Sequence, residues 1–233
     1  MGTQDDLTGS QAEAPRPAWY ALSPGGWRDY VTLLHPPYTL WHLSYVAVGA
    51  AIASHFAANR LLWALAAFFL AMGVAAHALD ELHGRPLGTR IPSPILIVLA
   101  AVSLAGAIAI GVGAALAWGE GLLAFVVVGA VLVPAYNLEL AFHNDWGFAL
   151  AWGAFPALTG YFVEAQTLRA DAVIAAGYAF LLSLAQRTLS TPVRVARRAT
   201  GSVEQTEPLE RALRLLAASA VALAVALVTA RLR

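Results

Sequence analysis

The sequence predicts an all-α integral membrane protein, a bundle of about seven transmembrane helices, and three observations predict it. Apolar residues fill 59% of the 233 positions and charged residues only 12%, against about 25% in a soluble domain. Mean hydropathy is +0.66. Apolar stretches close to the roughly 20 residues of a bilayer crossing recur near 38–57, 60–82, 94–117, 119–140, 147–166, 170–187 and 209–230.

The joints carry the expected punctuation. Residues 57–60 form a short turn, residues 84–94 hold three Pro and two Gly, and Gly119 interrupts a long apolar run. Residues 1–30 read as an N-terminal tail, polar at its start with Asp5, Asp6 and Glu13 and without the basic-then-apolar order of a cleavable signal. Residues 31–233 read as a single helical domain. Ala107/Gly111, Ala109/Gly113 and the set Gly153, Ala157, Gly160 are small residues at helix-packing intervals. Trp19, Tyr20, Trp27, Trp41, Trp63, Trp118 and Trp146 stand near segment ends as interfacial anchors.

Arginine placement predicts orientation. The chain has no Lys, and ten Arg (Arg16, Arg28, Arg85, Arg90, Arg187, Arg194, Arg197, Arg198, Arg211, Arg214) fall in the tail, after segments 2 and 6 and at the start of segment 7. Four (Arg60, Arg169, Arg231, Arg233) fall on the other side. The positive-inside rule then puts the N-terminus in the cytoplasm and the C-terminus outside, as expected for a protein of a prokaryotic cytoplasmic membrane. Zero net charge gives no nucleic-acid surface, so membrane lipids and lipid-soluble molecules are the expected partners. The absence of Cys excludes disulfides, thiolate metal sites and a Cys nucleophile.

Polar residues gather at the cytoplasmic ends of a few segments. Segment 2 ends with His77, Asp80 and Glu81, whose spacing puts all three on one helical face, followed by Arg85 and Arg90. Ionisable groups at membrane depth usually face a cavity, although a helix end in water is the plainer reading. Paired carboxylates in a cavity suit Mg2+, a hard cation that bridges oxygen ligands to phosphates, and the two Arg suit the same phosphates. Segment 4 ends with Tyr136, Asn137, Glu139, His143, Asn144 and Asp145. Tyr136 and Asn137 need hydrogen-bond partners in an apolar setting, whereas Asn144 or Asp145 equally suits the N-cap of segment 5. His35 precedes a Pro-Pro turn, and Gln186, Arg187 and Ser190 open a basic, hydroxyl-rich stretch after segment 6 that runs on through Arg194, Arg197 and Arg198. That stretch suits a topology signal or a contact with anionic lipid on one reading and a direct role on diphosphate on the other.

These residues resemble the UbiA superfamily of intramembrane prenyltransferases over roughly residues 30–190. Leu34 to Trp41 looks like the family's Arg-Pro-x-x-Leu opening, with His35 at the Arg position. Asp80-Glu81 leading to Arg90-Ile-Pro-Ser93 resembles its first acidic motif and downstream Arg-Pro-Ile/Leu-Pro-Ser. Tyr136 to Phe162 resembles its fourth and fifth helices. The family's second acidic motif is absent, its place taken by the basic run from Gln186 to Arg198, and the family's usual nine helices are seven here.

The resemblance implies transfer of a prenyl group from a polyprenyl diphosphate to an aromatic or small lipid-soluble acceptor, assisted by Mg2+. Asp80 and Glu81 would hold the metal, with Tyr136 and Asn137 beside them in the catalytic set. His35, His77, Arg85, Arg90, His143, Asn144, Gln186 and Arg187 would contact substrate. Two alternatives stand beside it. One is a lipid- or quinone-binding subunit that keeps the fold without the chemistry. The other is a transition-metal protein built on the pairs His77 with Glu81 and Glu139 with His143.

Overall fold

A computed structural model describes residues 16–200 and 205–233, and within them every regular element is helical. A short helix α1 (Trp27–Leu33) leads into α2 (Pro36–Ile52). Helix α3 (Ala58–Leu82) contains a π-helical stretch, Phe69–Ala76. Then come α4 (Ser93–Trp118) and α5 (Leu122–Asn137). Helix α6 covers 145–165 and is π-helical over Leu150–Ala154, α7 is Ala170–Thr200, and α8 is Glu207–Arg231. Four of these, α3, α4, α7 and α8, are long and apolar enough to cross a membrane.

Their outward faces match a hydrocarbon solvent. Val98, Val102 and Leu116 of α4, Val127 and Val131 of α5, Ile174 and Leu181 of α7 and Val225 of α8 are all exposed. The interior is dominated instead by Ala, with Ala50, Ala75, Ala115, Ala149, Ala179 and Ala220 buried. This is the pattern of bundles that gain stability from close helix approach, because lipid offers no hydrophobic drive to bury Leu.

Helix α2 is the hub, packed on α6 and α8, and glycines set its crossing with α6. A Cβ on Gly49 would strike the Ala157 carbonyl, and one on Gly160 would strike the Val46 carbonyl. Gly153 likewise lies against the Ala179 carbonyl and Ser183 of α7. The small-residue set of segment 5 therefore makes the close contacts expected of it. In α4, Gly111 faces Val126 and Gly113 faces the Trp63 ring.

Several expectations are corrected. The tail through residue 30 is too long: α1 begins at Trp27, and Asp29 is buried, accepting from the Gly25 amide at 3.0 Å and the Arg90 amide at 3.0 Å. A loop-rich stretch can fold this way because one carboxylate satisfies two backbone donors. Expected segment 6 ends at 187, yet α7 continues to Thr200, since the Ala- and Arg-rich run after Arg187 favours helix despite Pro192. Trp41 is no interfacial anchor. It is fully buried and donates its indole N–H to Tyr45 Oη at 2.6 Å. Residues 1–15 of the tail lie outside the described residues.

Buried charge locks one end of the bundle. Arg197 of α7 forms a two-point pair with Glu210 of α8 at 2.5 and 2.9 Å, and it also donates to the Arg16 carbonyl at 3.0 Å. The partners are 5% and 1% exposed, so each charge depends on the other for solvation.

Candidate functional site

A cavity of about 480 Å³ opens where the N-terminal end of α2, the C-terminal ends of α3 and α5, the start of α6 and the second half of α7 converge. The segment 17–20 also borders it. Of the six histidines in the chain, five (His35, His42, His77, His83, His143) line this one space. So do Asp80, Glu139, Arg187, Arg194 and Arg198.

Local backbone geometry prepares three of the imidazoles. The Gly73 and Trp152 carbonyls both lie in π-helical stretches. His77 Nδ1 is 3.1 Å from the first and His42 Nδ1 2.8 Å from the second. His143 Nδ1 sits 3.0 Å from the Tyr136 carbonyl. A carbonyl only accepts, so each Nδ1 carries the hydrogen and the neutral ring keeps its lone pair on Nε2. His42 and His77 are thereby set as proton acceptors of fixed orientation, whereas His143 turns its Nε2 toward the Glu139 carboxylate. π-Helical turns commonly occur at functional sites, and here they supply the anchoring carbonyls.

His35 is held differently. It adopts a left-handed backbone at φ 45°, unusual for a non-glycine residue and doubly so before Pro36. Its ring stacks on His77 with centroids 4.1 Å apart, and its Nδ1 lies 2.7 Å from Tyr20 Oη. Burial, reinforced by His77 and Arg194, pushes its pKa well below the ordinary imidazole value. Tyr20 is pushed up, chiefly by burial.

Asp80 and Glu81 part company. Asp80 lines the cavity, within electrostatic reach of Arg194, His143 and Arg187. Glu81 is fully buried and turned to the following loop, where it accepts from the Leu87 amide at 3.0 Å, the Thr89 amide at 2.8 Å and the Thr89 hydroxyl at 2.8 Å. Two adjacent residues on a helix point about 100° apart, so the loop claims one and the cavity the other. With Glu81 saturated, the pair does not fit as joint Mg2+ ligands. Among the described residues, no group of three or more His, Asp or Glu side chains is placed to hold a metal ion. The pair His77 with Glu81 is likewise not formed, whereas Glu139 lies 3.5 Å from His143 Nε2 and 3.7 Å from His83 Nε2.

The remaining expected residues divide. Tyr136, Asn137, His143, Gln186 and Arg187 line the cavity together with His35 and His77. Arg85 does not: it donates to the Thr89 and Ile91 carbonyls at 3.1 and 2.6 Å and to Ser93 Oγ at 2.9 Å, clasping the same loop as Glu81. Arg90 offers its amide to Asp29. Asn144 is the N-cap of α6, accepting the Gly147 amide at 2.8 Å, as the plainer reading has it.

Sequence reasoning missed Tyr20, Tyr38, His42, His83 and Trp152 as lining residues, and offered a diphosphate role for the Arg cluster without singling out Arg194 and Arg198 as the members that face the cavity. The available signal for the two Arg was their i, i+4 register once α7 is allowed to continue past Arg187. Among the lining residues, Tyr136 Oη and Gln186 Oε1 are buried polar atoms with no hydrogen-bond partner, in residues 5% and 4% exposed. Unpaired buried polar groups are costly, so both atoms favour a hydrogen-bonding group in the cavity.

An apolar cavity adjoins the polar one. It runs between α3, α4, α5 and α6, is lined by Trp63, Phe68, Trp118, Phe125 and Phe155 among others, and shares Met72 and Trp152 with the polar space. The two thus meet at these residues. No protein-family model, curated protein or solved structure matches this chain.

Proposed function

We propose that this chain is a divergent UbiA-like prenyltransferase of about seven membrane spans, N-terminus cytoplasmic, moving a prenyl group from a polyprenyl diphosphate to an aromatic or lipid-soluble acceptor. The observation that carries the reading is the juxtaposition of the arginine-lined cavity and the apolar cavity across Met72 and Trp152. A ligand suited to both has an anionic head and a hydrocarbon tail. Polyprenyl diphosphate has that shape, with its reactive allylic carbon at the junction.

The chemistry assigned to the residues follows from their placement. Arg187, Arg194 and Arg198 stabilise charge on the departing diphosphate, the electrostatic task that most lowers such a barrier. The faces of Tyr136 and Trp152, packed edge to face at 5.7 Å, stabilise positive charge at the allylic carbon by cation–π attraction. As the new bond forms, the acceptor loses a proton, and His77 Nε2 is oriented to take it.

One observation favours a second reading, a lipid- or quinone-binding subunit without catalysis: Glu81 is withdrawn from the cavity. The test separates the two. The purified protein in lipid bilayers is supplied with isoprenoid diphosphates of several chain lengths and a membrane lipid extract, and released diphosphate and prenylated products are followed by mass spectrometry. Release coupled to a new prenylated species is the expected result. Tight binding with no release at any chain length overturns transfer in favour of the binding subunit.

A further inference from the structure

We infer that the cavity holds the diphosphate by guanidinium and hydroxyl groups without a divalent cation. This rests on the reading of the ligand as a diphosphate ester, and it sets the site apart from one built on paired carboxylates.

The donor set argues against an acidic metal cradle. Glu81 is consumed by three hydrogen bonds from the loop, and Glu139 stands between His83 and His143. Asp80 is left, and two guanidiniums, Arg194 and Arg187, lie within its electrostatic reach. Mg2+ is usually bound by one or two carboxylates together with substrate phosphates, and here two guanidiniums compete for the Asp80 carboxylate.

One face of α7 offers the replacement. Arg187, Arg194 and Arg198 follow one another at helical spacing and all line the cavity, while Ser190 and Thr191 between them donate their hydroxyls to the Arg187 carbonyl at 3.4 and 2.9 Å. Three guanidiniums carry more positive charge than one Mg2+, and their planar forks match phosphate oxygens two at a time. Arg187 is steadied by Asp145 at 3.1 Å and by the Phe148 ring. Arg194 is central: it acts electrostatically on Tyr20, His35, Tyr38, Asp80 and Tyr136, residues from four separate parts of the chain. The orphaned Tyr136 hydroxyl adds a buried donor for an anionic oxygen. Asp80 then serves as a counter-charge that positions Arg194 when the site is empty.

The experiment measures binding of radiolabelled farnesyl diphosphate to the full chain in phosphatidylcholine nanodiscs, with EDTA and with MgCl2, beside farnesol as an uncharged control. The expected result is affinity within about twofold in the two buffers, and farnesol weaker by tenfold or more. Arg194→Gln should weaken binding roughly tenfold or more in both buffers, with Arg194→Lys intermediate because it keeps charge but loses the fork. Arg198→Gln serves as a second variant if Arg194→Gln does not fold. Binding that disappears in EDTA and returns with Mg2+ overturns the inference, as does binding indifferent to both arginine substitutions or no binding in either buffer. Metal-free binding without prenyl transfer overturns the transferase reading and leaves the inference standing. Transfer with strictly Mg2+-dependent binding does the reverse.

Discussion

Glu81 and Thr89 are joined twice through one oxygen: Glu81 Oε1 accepts both the amide and the hydroxyl of Thr89, each at 2.8 Å. The contact fixes the loop after α3 and removes from the cavity a carboxylate that the sequence places beside Asp80.

Replacing Glu81 with Ala leaves the Leu87 and Thr89 amides buried and unpaired. At about 1–3 kcal/mol for each orphaned donor, the loss should be about 2–6 kcal/mol. A fall in thermal unfolding temperature checks this. Because Glu81 holds the loop and does not line the cavity, farnesyl diphosphate affinity in the folded fraction should change little, whereas Asp80→Asn should alter affinity with little effect on stability.

The Arg197–Glu210 pair gives a separate prediction. Arg197→Met alone strands the Glu210 charge and should cost about 3–5 kcal/mol. Arg197→Met combined with Glu210→Leu should recover most of that loss, since neither charge is then left buried alone. Denaturation of the single and double variants in the same detergent measures the difference.

Gly160→Ala tests the crossing of α2 and α6. The added methyl meets the Val46 carbonyl, a backbone group that cannot swing aside, so the helices must separate. The cost should exceed the usual overpacking range of about 1–3 kcal/mol. By contrast Gly177→Ala, where a Cβ meets nothing within 4 Å, should be neutral or slightly stabilising. Thermal stability of the two variants provides the comparison.

Acidity should weaken the fold through His35. Its folded pKa lies well below 6.5, so between that value and 6.5 the unfolded chain binds the proton and the folded chain does not. Stability is therefore complete above about pH 6.5 and falls as pH drops, by up to about 1.4 kcal/mol per unit until the folded value is reached. In His35→Gln this part of the slope should vanish. Unfolding free energy measured from pH 7.5 down to 5 reads it directly.

The sequence alone determined the helical character, the bounds of α3, α4 and α8 to within a few residues, the start but not the end of α7, and the polar character of the helix ends, because apolar run length and Gly/Pro punctuation are local properties. It also found Tyr136, Asn137, His77, Asp80, Gln186 and Arg187, all of which reach one cavity. Only the tertiary structure decided what neighbouring residues do. Asp80 and Glu81 are adjacent and chemically alike, yet a loop folding back from residues 87–89 claims one and leaves the other. Arg85 and Arg194 read alike as basic residues near a helix end, but the first clasps that loop and the second faces the cavity. His42 and Trp152, 110 residues apart, meet only because glycine lets α2 and α6 approach to backbone contact. Spacing along a chain fixes which face of a helix a residue occupies; which neighbour that face meets depends on contacts distant in sequence, and those exist only in the packed bundle.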